Sequence, residues 1–119
     1  MGKRLTACVL LLGIFLCLFT SCGGVKGAAK SLQREGYTVR YYEEETAPEG
    51  LLNEDLTARL SASGPLGEVL DILYFKEKED AVSFYEAIRE KYENTPAMTA
   101  ARKGNAVYYG TITAYRIVE

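Results

Sequence analysis

Leu5 to Phe19 (LTACVLLLGIFLCLF) is a run of 15 residues without a charge. No other feature constrains the chain as strongly, because a small domain has no room to fold around such a segment. As a helix it covers roughly 22 Å at about 1.5 Å per residue. That is short of the about 30 Å of a bilayer's hydrocarbon core. Lys3 and Arg4 precede the run, and Thr20-Ser21-Cys22-Gly23 follow it. A basic start, an apolar stretch and small residues, in that order, read as an export signal rather than a membrane span. Met1-Gly2-Lys3-Arg4-Leu5-Thr6 also fits an N-myristoylation pattern. An apolar run beginning at the fifth residue instead directs the chain to a translocon.

Leu18-Phe19-Thr20-Ser21-Cys22 resembles the lipobox of bacterial lipoproteins. Ser21 and Cys22 match its two strictest positions, while Phe19 stands where leucine is usual. The resemblance implies cleavage between Ser21 and Cys22, with diacylglycerol on the Cys22 sulfur and an N-acyl chain on its amine. The expected organisation is a cleaved signal peptide over 1–21, a lipidated cysteine and short linker over 22–24, and a single domain over 25–119. The resemblance places the protein on the exported side of a cell membrane, on the plasma membrane's outer leaflet or in a periplasm.

Of three cysteines, Cys8 and Cys17 lie inside the signal. Cys22 would carry lipid, so the exported domain would hold no disulfide and must fold on its apolar core. Without Lys3 and Arg4, 12 basic residues face 16 acidic ones, a net charge of −4. That balance argues against nucleic acid as a partner. The absence of histidine removes Ser–His–Asp and Cys–His catalysis and histidine-ligated metals. We expect no enzyme activity and no cofactor beyond the lipid.

Val25, Ala28, Ala29 and Leu32 recur at helical spacing, and Gly36 stands where such a helix stops. Tyr37 to Tyr42 alternates as a strand. Leu56, Ala58, Leu60 and Ala62 alternate with polar residues and predict a second strand, although a short helix through Leu52, Leu56 and Leu60 competes. Gly64-Pro65-Leu66-Gly67 predicts a turn into Val69–Phe75, an apolar strand. Glu79–Tyr92 predicts a helix with Ala81, Phe84, Tyr85, Ile88 and Tyr92 inward. Met98–Arg102 and Ala106–Tyr109 read as strands around Lys103-Gly104-Asn105. Thr111 to Val118 fits a short helix capped by Thr111, or a strand.

The expected fold is α+β: a mostly antiparallel sheet of four to five strands, with two helices packed on one face and a ferredoxin-like flavour. The exported segment also resembles small uncharacterised bacterial lipoproteins, a likeness that implies no activity. With helices on one face only, Leu70, Ile72 and Tyr74 would face the core. Val69, Leu73 and Phe75 would line an open apolar face for a protein partner or a second copy. Lys26, Lys30 and Arg34 are spaced four apart and would lie near lipid headgroups. Glu43-Glu44-Glu45 reads as a solvated loop rather than a metal site, because successive extended residues point to opposite sides. Nine tyrosines in a chain without tryptophan read first as half-buried packing and second as a contact surface. The function expected is a membrane-anchored binding or accessory module of the cell envelope. The alternatives are a small-ligand carrier and an envelope enzyme.

Overall fold

The computed structural model describes residues 24–44, 50 and 52–119. The apolar leader, Ser21, Cys22 and most of the acidic loop after Glu44 lie outside the described residues. Helix α1 (Val25–Arg34) buries Val25, Ala29 and Leu32. Its end is a Schellman motif: the Gly36 amide donates to Gln33 O and the Tyr37 amide to Leu32 O, both at 3.0 Å. Gly36 takes the left-handed φ of 89° that this closure requires.

Five strands follow: β1 (Thr38–Glu43), β2 (Leu56–Ser63), β3 (Val69–Phe75), β4 (Met98–Lys103) and β5 (Ala106–Thr111). Helix α2 (Lys78–Tyr92) joins β3 to β4, and α3 (Ile112–Val118) ends the chain. The sheet order is β1-β2-β3-β5-β4, and every neighbouring pair is antiparallel. Strands β3 and β4 therefore run parallel with β5 between them. That arrangement is one split β-α-β unit, half of a ferredoxin-like pattern. A three-strand meander completes the sheet.

Turn chemistry explains the short connections. Gly104 and Asn105 alone link the Lys103–Ala106 pair, with Gly104 at φ 62°. A left-handed glycine at the first of two loop positions suits a hairpin's twist. The Asn105 side-chain amide donates to Phe75 O at 3.3 Å and Lys76 O at 3.2 Å, which pins this hairpin to the end of β3. Gly110, opposite Leu70, takes φ 155°, a backbone conformation that residues with a side chain rarely adopt. A Cβ there would collide with the Val69 carbonyl.

Strand alternation sends side chains into two separate layers. On one face Leu60, Leu70, Ile72 and Tyr108 pack with Leu32 of α1 and Ala114 of α3. On the other, Leu56, Phe75 and Val107 pack with Ala81 of α2, beside Leu73, Phe84 and Tyr109. Leu32, Leu60, Leu70, Ile72 and Val107 have essentially no exposure. Each such burial contributes about 2 kcal/mol.

Two helices, α1 and α3, do share one face, but the long helix α2 takes the other. This corrects the expectation of an open apolar face. Phe75 is buried under α2 and Leu73 is half-buried beside it. Of the three residues assigned to that face, Val69 alone is exposed, at 40 %. The physical reason is that β3 is a central strand with apolar residues on both sides, and each side has acquired its own helix. Thr111 differs too. It precedes α3 but does not cap it, since its hydroxyl is 3.2 Å from the Val69 amide and 3.1 Å from the Val69 carbonyl.

Candidate functional site

Helix α2 lies over β4, β5 and part of β3, and its backbone does not approach β1 or β2. It therefore covers only part of its face. The part that no described residue covers carries Thr38 and Arg40 of β1, Ser61 and Ser63 of β2, and Val69 and Asp71 of β3, which line a shallow depression of about 350 Å³. These side chains are neighbours because they occupy cross-strand positions. Arg40 pairs with Ser61, Ser61 with Asp71, and Asp71 with Tyr109. In the adjacent row Tyr42 pairs with Arg59, and Arg59 with Leu73.

One hydrogen bond organises this surface. The Ser61 hydroxyl donates to Asp71 Oδ1 at 2.8 Å. The carboxylate is thus held in place at the margin of the α2 cover. Burial raises the Tyr109 pKa above its ordinary value; Asp71 adds to the rise, and Arg59 opposes it. Asp71, Arg59 and Tyr109 consequently share one electrostatic neighbourhood where the covered half of the sheet meets the open half.

An apolar tip adjoins the depression. Leu66 is 87 % exposed in the β2–β3 turn, three residues before exposed Val69. The turn is shaped by its own bonds: Gly64 N donates to Glu68 O at 2.8 Å, and Leu66 N donates to Glu68 Oε1 at 3.0 Å. Glu68 thereby keeps the Leu66 side chain at the tip of a fixed loop. The open half-sheet combines an apolar tip, two arginines and an oriented carboxylate. Ser61 has a carboxylate partner but no histidine base, because the chain contains none.

The tyrosines are mostly packing groups. Tyr37 and Tyr108 are buried, whereas Tyr41 on β1 is exposed. Tyr108 meets Tyr115 edge-on at 5.7 Å, and Lys103 Nζ stands 5.4 Å and 5.8 Å from their two ring centres. Tyr74 borders a surface depression of about 310 Å³ and Tyr108 another of about 150 Å³. Among the described residues, no group of three or more acidic or cysteine side chains is arranged to hold a metal. No described helix is long and apolar enough to cross a membrane.

The expected headgroup residues are all on the outside. Lys26, Lys30 and Arg34 are exposed on α1, opposite its buried stripe. Lys26 makes a loose 3.9 Å ion pair with Glu43. Ser21 and Cys22, the expected cleavage and lipidation positions, lie outside the described residues. The sequence reading missed Leu66, Arg40 and Arg59. Gly64-Pro65-Leu66-Gly67 held a signal for Leu66, as an apolar residue within a turn. The arginines had none, because their importance depends on where α2 stops.

Comparison with known protein-family models, curated proteins and solved structures finds no match to this chain.

Proposed function

We propose that this protein is a lipid-anchored module of the bacterial cell envelope, and that it binds another protein through the uncovered half of its sheet. The anchor reading is supported by Leu18-Phe19-Thr20-Ser21-Cys22 following an uncharged apolar run of 15 residues. The binding reading is carried by one observation. Among the described residues, helix α2 leaves one face of β1 and β2 bare, and that face carries Arg40, Arg59, Val69 and Asp71, with Leu66 on the adjoining turn. Acyl chains on Cys22 would hold the module at the membrane at about 0.8 kcal/mol per buried methylene. Confinement raises its effective concentration towards a membrane partner.

The test is cross-linked capture of the lipidated protein from its own membranes, alongside Leu66→Ser and Arg59→Glu. The expected result is one stoichiometric partner, lost or reduced at least about 10-fold in both variants. Both variants should keep native circular dichroism. A partner retained equally by both would move the binding site elsewhere. Recovery of the protein alone would favour the ligand-carrier alternative. For the anchor, Cys22→Ser should yield an uncleaved precursor without lipid, and a lipidated Cys22→Ser protein would refute the lipobox reading.

A further inference from the structure

We infer that the outer face of α1 rests on an anionic bilayer and sets the domain's orientation at the membrane. This inference rests on the lipid-anchor reading and adds a surface to it. Helix α1 carries Lys26, Lys30 and Arg34 on its exposed side; Glu35 ends it, and Glu43 of β1 pairs loosely with Lys26 at 3.9 Å. Neighbouring α3 carries Arg116, with Glu119 at its end. All four cations are exposed. On the other face of the sheet α2 sets Glu79, Asp80, Glu86 and Glu90 against Lys78, Arg89 and Lys91, a near balance. A domain with excess negative charge therefore presents three cations in line along the exposed face of one helix. Its attraction to an anionic surface is directional rather than global.

Chain length selects that side as the one nearest the lipid. In sequence, only Gly23 and Gly24 separate Cys22 from Val25. Three residue steps span at most about 11 Å even when fully extended. A lipid on Cys22 would hold the first turn of α1 near the headgroups. Lys26 to Arg34 then extends about 12 Å along the helix. With α1 lying along the surface, all three charges come within reach of a Debye length of about 8 Å at physiological salt; with α1 upright, Arg34 would stand beyond it. Each basic side chain near an anionic surface favours contact by about 5-fold, so three together favour it by roughly 100-fold. With α1 downward, the bare half of the sheet faces away from the bilayer, because α1 and that surface lie on opposite faces.

The chain contains no tryptophan, so a single introduced indole reports on its own position. Gln33→Trp places it on exposed α1 beside the basic residues, and Ser63→Trp places it on the bare half-sheet. Full-length lipidated protein carrying either change is reconstituted into phosphatidylcholine vesicles with and without phosphatidylglycerol, each doped with spin-labelled lipid. The indole of the Gln33→Trp protein should be quenched in the anionic vesicles and weakly in the neutral ones. That of the Ser63→Trp protein should be quenched in neither. High salt should abolish the difference, as should Lys26→Gln/Lys30→Gln/Arg34→Gln, which retains the helix. Mass spectrometry of the same samples reads lipidation separately. Lipidated Gln33→Trp protein that is not quenched, or is quenched less than the Ser63→Trp protein, would overturn the docking inference and leave the anchor intact. Protein without lipid on Cys22 would overturn both.

Discussion

At the residue scale, Tyr74 is the one described side chain that contradicts the usual satisfaction of buried polar groups. It enters the α1/α3 layer between Ala58 of β2 and Ala106 of β5, whose small side chains leave room for its ring. Its hydroxyl is buried and has no hydrogen-bond partner among the described residues. Burial raises its pKa well above the ordinary tyrosine value, and the neighbouring Tyr108 hydroxyl adds to the rise without completing a well-formed bond. The sign of the linkage follows. The folded state holds this proton more tightly than the unfolded chain does, so the contribution to stability is intact below about pH 10, the unfolded value. It is lost as pH climbs through the raised folded value. Tyr74→Phe should stabilise the domain by about 1 kcal/mol at neutral pH by removing an unpaired buried hydroxyl. It should also reduce the loss of stability at alkaline pH, and denaturant titrations at neutral and alkaline pH measure both effects.

At the scale of elements, β3 governs the architecture. Its Leu70, Ile72 and Tyr74 belong to the α1/α3 layer, while Leu73 and Phe75 belong to the α2 layer. Phe75, Phe84 and Tyr109 form a chain of tilted ring contacts at 5.6 and 5.5 Å that fastens α2 to the sheet. Leu73→Glu should therefore be a folding mutation and not an interface mutation. A carboxylate set against Val107 and the α2 aromatics loses hydration without gaining a partner. We expect a loss of more than about 2 kcal/mol, read as a lower urea midpoint. A Leu73→Glu protein of unchanged stability would show that α2 does not close over this position in solution.

At the scale of the whole molecule, one five-stranded sheet serves two helical layers. Neither layer has an independent core, because each uses alternate residues of the same strands. The domain should consequently unfold in a single transition, with near- and far-ultraviolet circular dichroism coincident in urea. Two resolved transitions would mean that α2 detaches before the sheet melts. The same arrangement separates the surfaces: a row of three cations on α1, a mixed-charge α2, and a half-sheet that α2 is too far across to cover.

The sequence by itself determined the elements. Local spacing predicted α1 with its terminating Gly36, the strand Val69–Phe75, the long helix and the Gly104-Asn105 hairpin, because these signals lie within a few residues of one another. It favoured a strand over Leu56–Ser63 only by a narrow margin, since the leucines there fit both periods. Backbone pairing with β1 and β3 on either side resolved that ambiguity. Layering was decided by tertiary structure alone. Val69, Leu73 and Phe75 looked like an open face because a strand's pattern shows which residues share a side but not which helix covers that side. The site followed the same logic. Arg40, Arg59 and Asp71 lie on three different strands, and nothing local connects them. Their proximity depends on sheet order, and their exposure on the reach of a helix whose packing is set by long-range contacts.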